Sequence, residues 1–146
     1  MPPPAVALLA AAFMCLVARA LPVLDFHIPA RGQLAIAIAV IGLAIAAFAF
    51  FQFRRAGTTV NPMRPAESAV LVTTGIYRFS RNPMYVGDVV LLAAWAVWLA
   101  NLAALIGLLL FVAYISRFQI TLEERALEAR FGAAYVEYRR SVRRWI

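Results

Sequence analysis

Lysine is absent from this chain of 146 residues, and cysteine and histidine each occur once. The single cysteine, Cys15, excludes a disulfide framework within the chain and lies in an apolar run, where a small buried hydrophobe is its simplest role. One cysteine and one histidine, His27, are too few to build a zinc or redox-metal site, so we expect no metal centre. Neither Gly-x-Gly-x-x-Gly nor a Walker sequence occurs, which argues against the nucleotide folds that depend on those loops.

Charged residues are also scarce, at 14% of the chain, whereas 64% of the residues are hydrophobic. This balance lies outside the range of soluble domains. We therefore predict an integral membrane protein of the all-α class, with lipids and no nucleic acid among its partners. All fourteen basic residues are arginine and the formal net charge is +7, so the positions of the arginines indicate the topology.

Two hydrophobic runs near the N-terminus predict the first two transmembrane helices. The first, Pro4 to Leu21, ends beside Arg19, whose long side chain can reach the headgroups. Ala18-Arg19-Ala20 looks superficially like a signal-peptidase site, but no basic region precedes it, and we expect a retained helix. The second, Gln33 to Phe53, is uncharged, and its length of about 21 residues suits a hydrocarbon layer of about 30 Å.

A third uncharged run, Val89 to Ser116, is too long for one crossing, since a single helix of this length would extend about 42 Å. Two helices joined at Asn101, Pro83 to Ala100 and Leu102 to Gln119, fit better. Trp95 and Trp98 then lie near the far interface, where indole rings are favoured. Asp88 and Arg117 both lie near the opposite interface, where they are able to pair.

Arginine counts orient these helices. The connection between the second and third helices holds five arginines and the chain from Arg117 onward holds seven, whereas the first loop holds only Arg31 and the Asn101 turn holds none. Because cytoplasmic segments carry the excess of basic residues, we expect four transmembrane helices in the cell membrane, with both termini and both polar segments cytoplasmic. The expected single membrane domain, 1–146, divides into two transmembrane helices (1–53), a cytoplasmic loop (54–83), a transmembrane hairpin (83–120) and C-terminal helices (121–146).

The C-terminal tail has a helical pattern of its own. Apolar side chains recur at steps of three or four, which predicts an amphipathic helix interrupted near Gly132. We expect its tyrosines to pack rather than to bind ligand. The stripe consists of Leu127, Phe131, Tyr135, Tyr138 and Val142.

Two polar segments concentrate the chemistry of the chain. One is Gly75-Ile-Tyr-Arg-Phe-Ser-Arg-Asn-Pro-Met-Tyr-Val-Gly87, and the other is the adjacent pair Glu123 and Glu124, which is electrostatically unfavourable unless a cation meets it. The hairpin through Asn101 brings both segments to the same membrane face. Together they suit a zwitterionic or cationic ligand: carboxylates for an ammonium or sulfonium, arginine for a carboxylate, and tyrosine faces for a cation or adenine. The alternative is an interfacial anchor, with Arg78 and Arg81 on phosphate headgroups and the tyrosines in an aromatic belt.

These same residues resemble a known group of proteins. Val72 to Gly87, then a hydrophobic hairpin, then Glu123 to Val142, closely resemble the isoprenylcysteine carboxyl methyltransferase and phospholipid methyltransferase superfamily, over about residues 54–146. The resemblance implies an integral membrane methyltransferase that takes S-adenosylmethionine from the cytosol and a lipophilic acceptor from the bilayer. Gly75 and Tyr77 would then help form the cofactor loop. The resemblance further assigns Arg81, Asn82, Pro83 and Tyr85 to the pocket wall, Glu123 and Glu124 to its far side, and a catalytic role to Arg81, Asn82 and Glu124.

One position departs from the superfamily pattern, because Asn82 stands where a histidine is common. An amide donates and accepts hydrogen bonds but does not titrate near neutral pH, which puts a general-base role in doubt. Arg81 is able to orient either an acceptor carboxylate or the methionyl carboxylate of the cofactor. The acceptor stays open among a prenylated cysteine, phosphatidylethanolamine, a small thiol and a quinone-like lipid.

Two other functions are compatible with the sequence. Sterol and steroid reductases resemble the same C-terminal pattern, so an NADPH-dependent membrane reductase is the first alternative, although those enzymes are usually longer. A non-catalytic membrane scaffold is the second. Binding of NADPH in place of S-adenosylmethionine, or of neither, would distinguish them.

Overall fold

The computed structural model describes residues 1–56 and 70–146. The secondary-structure elements of these residues are all helices. The turn-rich sequence from Gly57 to Pro65, which belongs to the expected cofactor loop, lies outside the described residues. Short 3₁₀ turns occur at Pro22–Leu24, Gly75–Arg78 and Leu102–Ala104. The α-helices are α1 (Pro3–Ala20), α2 (Arg31–Arg55), α3 (Pro83–Leu99), α4 (Leu105–Tyr114), α5 (Thr121–Phe131) and α6 (Ala133–Ser141).

The all-α membrane class is confirmed. Within the described ranges, the helical segments long and apolar enough to cross a membrane are Pro3–Ala20, Arg31–Arg55 and Leu102–Phe131. The helix expected from Pro83 to Ala100 is present as α3, which is apolar but has 17 residues. Since 17 residues extend about 25 Å, a fourth crossing stays a prediction.

The third of these segments does not end where the sequence pattern indicated. The helical backbone continues past Gln119 through a π-helical stretch, Ile115–Ile120, directly into α5. Within that stretch the hydroxyl of Thr121 donates to the carbonyl of Ser116 at 2.9 Å. The predicted interruption near Gly132 is confirmed, because α5 ends at Phe131 and Gly132 adopts φ 53° before α6 begins.

The contact between α2 and α3 depends on two glycines. A Cβ atom on Gly87 would lie 2.9 Å from the Cβ of Ala46 and 3.0 Å from the carbonyl oxygen of Gly42. Such distances leave no room for a side chain, so the two backbones meet directly, as small residues permit in membrane helices.

The predicted turn at Asn101 is confirmed. Ala100 adopts a left-handed conformation (φ 50°) that ends α3, and the Asn101 side-chain oxygen accepts the backbone N–H of Ala103 at 2.9 Å. Its amide donates to the Asp25 carboxylate at 2.6 Å and to the Leu21 carbonyl at 2.9 Å. The side chain is 1% exposed. Asn101 therefore joins the hairpin to the loop between α1 and α2 at one end of the bundle.

Candidate functional site

The opposite end of the bundle brings together the two polar segments singled out in the sequence. The loop before α3 lies against the end of α2, and α5, α6 and the last residues of the chain pack on the same loop. The expected meeting of the Gly75–Gly87 stretch with the Glu123–Glu124 pair is thus observed at the level of direct contacts.

Gly75 begins the site with a conformation that favours glycine. Its φ is +60°, and a Cβ atom there would lie 1.5 Å from the Nε2 atom of Gln52. The next backbone N–H, of Ile76, donates to Gln52 Oε1 at 3.1 Å. Gly75 therefore lets the 3₁₀ turn lie flat against α2, and Gln52 fixes it there.

Tyr77 is enclosed by this turn and is 4% exposed. Its ring packs edge-on against Phe53 with centroids 5.1 Å apart, and its carbonyl accepts the hydroxyl of Tyr138 at 2.7 Å. Burial raises the pKa of both tyrosines well above the ordinary tyrosine value, so both hydroxyls stay protonated. The Tyr77 hydroxyl itself is buried and has no hydrogen-bond partner within the described residues.

An ion triad, in which Arg81 and Glu124 are buried and Arg144 is partly exposed, occupies the centre of the site. Arg144 binds Glu124 through both carboxylate oxygens, with Nε to Oε1 at 3.0 Å and Nη2 to Oε2 at 2.6 Å. Arg81 Nη1 lies 3.1 Å from Glu124 Oε1, and both of these side chains are about 10% exposed. The Arg81–Glu124 contact has ion-pair distance without hydrogen-bond alignment, because Arg81 Nε and Nη1 are left without a hydrogen-bond partner among the described residues.

The last residues of the chain lie across this loop, and they are a part of the site that the sequence did not predict. The backbone N–H of Arg81 donates to the Arg143 carbonyl at 3.0 Å, and the Asn82 amide donates to the Arg144 carbonyl at 2.9 Å. Trp145 donates its ring N–H to the Ser116 hydroxyl at 3.2 Å. We call residues Arg143 to Trp145 the C-terminal strap.

The Asn82 side chain therefore binds the backbone of the C-terminal strap, and an amide does not titrate near neutral pH. Besides the bond of its side chain to the strap, its backbone N–H donates to the Ser80 hydroxyl at 3.1 Å. Pro83 follows as the first residue of α3 and is buried, a position where the missing N–H costs nothing. The dipeptide shapes the entry into α3.

Glu123 differs from its neighbour in what surrounds it. Its Oε1 atom accepts the Tyr85 hydroxyl at 2.5 Å and the Gln119 amide at 2.8 Å. Both donors are neutral, and the ion pairs found within the described chain do not include Glu123. Of the two adjacent carboxylates, Glu124 is compensated by two arginines, whereas the charge of Glu123 is not compensated.

Three sequence expectations need revision at this end of the molecule. Asp88 and Arg117 form no ion pair with each other, because residues at similar depth need not face the same neighbour. Arg81 is buried and paired, which excludes it as a headgroup anchor, whereas Arg78 is exposed. Of the two adjacent acids, Glu124 is met by cations of the chain itself, Arg81 and Arg144, whereas the ion pairs of the described residues do not include Glu123.

Comparison with known proteins agrees with the motif resemblance. The family described as phospholipid methyltransferase matches residues 30–134, which covers most of the chain, including the Gly75–Gly87 stretch and both glutamates. The chain belongs to the phospholipid methyltransferase family, and it is thus a membrane protein of a methyltransferase family.

One relative is an uncharacterized protein of Haemophilus influenzae, 43% identical over 63 residues, which cover 43% of this chain and 100% of that protein. No solved structure matches the chain. Because that relative is uncharacterized, the functional assignment depends on family membership.

Proposed function

We propose that this protein is an S-adenosylmethionine-dependent methyltransferase that acts on a lipophilic acceptor at the cytoplasmic face of the cell membrane. Membership of the phospholipid methyltransferase family supports the reaction class. The observation that carries the cofactor assignment is a pair of buried donors, Tyr77 Oη and Arg81 Nε, that have no hydrogen-bond partner among the described residues. The carboxylate of Glu123 lies at the same end of the bundle and takes part in none of the ion pairs of the described chain.

The donors and the Glu123 carboxylate match charged groups of opposite sign on the cofactor. A buried donor without a partner costs about 1–3 kcal/mol, a cost that a ligand acceptor atom would remove. The Tyr77 hydroxyl and the Arg81 guanidinium suit a carboxylate, and Glu123 suits a cationic centre. S-adenosylmethionine carries both groups in one molecule. When bound, it supplies an electrophilic methyl group on a sulfonium.

In this proposal the protein residues orient the groups that bind the cofactor and exclude water from the site. Arg144 holds the carboxylate of Glu124, and Glu124 in turn orients the guanidinium of Arg81. Tyr85 and Gln119 fix the carboxylate of Glu123. Phe53, Tyr77 and Tyr138 exclude water from the loop. In-line transfer of a methyl group depends largely on such positioning and on exclusion of water.

Asn82 is a positioning residue in this scheme, since it holds the strap and does not take up protons near neutral pH. An acceptor that is already a carboxylate or thiolate needs no base, whereas an ammonium or a thiol must first lose its proton. The proposal therefore leaves the acceptor class open and assigns no base to position 82.

The test is calorimetric titration of the purified protein in detergent with S-adenosylmethionine. We expect saturable binding, and Tyr77→Phe should weaken it about two- to tenfold, the effect of one hydrogen bond of about 0.5–1.5 kcal/mol. Because the Tyr77 hydroxyl has no hydrogen-bond partner among residues 1–56 and 70–146, the same change should not lower stability. Tyr114→Phe, at a partly exposed tyrosine outside the site, is the matched control and should change neither.

Absence of binding at millimolar cofactor would overturn the proposal. Thermal stabilisation by NADPH and not by S-adenosylmethionine would favour the membrane reductase. Binding of neither, with copurification of another membrane subunit, would favour a scaffold.

A further inference from the structure

A second feature lies between α1 and α4, away from the candidate site. These helices meet closely at Gly107, where a Cβ atom would lie 2.3 Å from Met14 Cγ and 3.3 Å from the Ala10 carbonyl oxygen. Met14 is fully buried at this point. Gly107 therefore marks the place where the two helices touch.

From this contact towards Met1 and Arg117 the helices leave an open groove of about 590 Å³ between them. Its walls are almost entirely apolar, and several of the side chains are more than half exposed: Leu9 at 59%, Leu110 at 55% and Phe118 at 57%. The described chain thus does not cover this face. None of the predicted site residues lines the groove, so it is separate from the Arg81–Glu123 site.

The length of the groove matches one leaflet of a bilayer. Gly107 and Arg117 are ten residues apart, which corresponds to about 15 Å along a helix, half of a hydrocarbon layer of about 30 Å. An acyl chain lying along the groove would reach from the mid-plane of the membrane to the level of Arg117.

Arg117 is the charged side chain among the groove residues. It is exposed, and the hydrogen bonds and ion pairs found within the described residues do not include it. Asp88, the acid expected to pair with it, does not do so. A cation at the rim of an apolar groove is complementary to an anionic headgroup on a hydrocarbon chain.

We propose that the α1–α4 groove binds one acyl chain of an anionic phospholipid, whose phosphate is held by Arg117. The site is independent of the proposed methyltransferase activity. It predicts preference for anionic over zwitterionic lipid of the same chain length, which a purely apolar face covered by bulk bilayer would not produce.

Native mass spectrometry of the delipidated full chain, titrated with dioleoylphosphatidylglycerol or dioleoylphosphatidylcholine, tests this proposal. We expect the phosphatidylglycerol adduct to form at lower lipid concentration, and Arg117→Gln to weaken it about fivefold, the effect of one interfacial arginine. Ala113→Trp, which fills the groove, should reduce adducts of both lipids. Arg125→Gln, which removes another exposed cation of the same helical segment outside the groove, should retain the preference.

The proposal is overturned if Arg117→Gln keeps the wild-type preference, or if Ala113→Trp leaves both adducts unchanged. A third contradicting outcome is conversion of a dimer to a monomer by Ala113→Trp without change in lipid retention, which would make the groove a contact between copies. Thermal unfolding of each variant in detergent verifies that it is folded before the titrations are compared.

Discussion

Replacing Glu124 by glutamine tests the ion triad at the centre of the candidate site. The change keeps the size of the side chain but removes the charge that Arg81 and Arg144 share. Arg81 is 9% exposed and would remain as a buried cation without a counter-ion. Removing one partner of a buried pair costs about 3–5 kcal/mol, because the other charge stays buried. Arg144 is 38% exposed, so its contribution is smaller, about 0–1 kcal/mol.

The chain offers a matched control for this substitution in the Glu128–Arg139 pair, in which both side chains are 41% exposed at an N–O distance of 2.8 Å. Glu128→Gln removes the same type of charge from solvent and should cost about 0–1 kcal/mol. The assay is equilibrium unfolding in mixed micelles, followed by tryptophan fluorescence.

A double substitution measures the coupling between Arg81 and Glu124. Arg81→Met combined with Glu124→Gln removes both the buried cation and its counter-charge, so it should cost less than the sum of the single changes, by about 0.5–3 kcal/mol. The reasoning is refuted if Glu124→Gln is no more destabilising than Glu128→Gln, or if the two site substitutions are additive.

Three further substitutions address the backbone that supports the site, each measured as a change in the free energy of unfolding. Gly75→Ala should cost about 2 kcal/mol, because the left-handed conformation is strained by about 1 kcal/mol and the displaced Gln52 loses its bond to Ile76; no loss would show that the turn tolerates a side chain. Gly87→Val should cost about 1–3 kcal/mol by forcing α2 from α3, and wild-type stability would contradict the direct backbone contact. Asn101→Ala removes the hydrogen bonds of this side chain to Asp25, Leu21 and Ala103. At about 1 kcal/mol for each bond, it should cost about 2–3 kcal/mol. A loss below about 0.5 kcal/mol would mean that water replaces these bonds.

Much of the helical framework follows from hydrophobic length alone. The turn at Asn101 was predictable because an uncharged run of that length exceeds one membrane thickness, and the break at Gly132 because glycine interrupts an apolar stripe. The continuous helix through Gln119 was not predictable in this way, since polar residues near a membrane surface do not end a helix unless a turn residue accompanies them.

The two motifs of the candidate site were predictable from the sequence, whereas the C-terminal strap was not. Arg143, Arg144 and Trp145 follow Arg139 and Arg140 in a basic tail, and nothing in that pattern distinguishes the arginine that pairs with Glu124 from those on the surface. The signal that the sequence does offer is an acidic pair without an assigned cation, and such a pair is equally compatible with a ligand and with an arginine of the chain. Which arginine of the tail pairs with Glu124 depends on how the tail folds against the rest of the protein.

The proposed role of Glu123 is to offset a cationic sulfonium, and a comparison of two ligands tests this role most directly. S-adenosylmethionine is charged at sulfur and S-adenosylhomocysteine is neutral there, although both share the carboxylate and the adenine. Calorimetric titrations of the wild type and of Glu123→Gln with each ligand should show that the substitution weakens S-adenosylmethionine by about tenfold more than its product, equivalent to about 1.4 kcal/mol. Equal weakening of both ligands, or no binding of either to the wild type, would contradict the account.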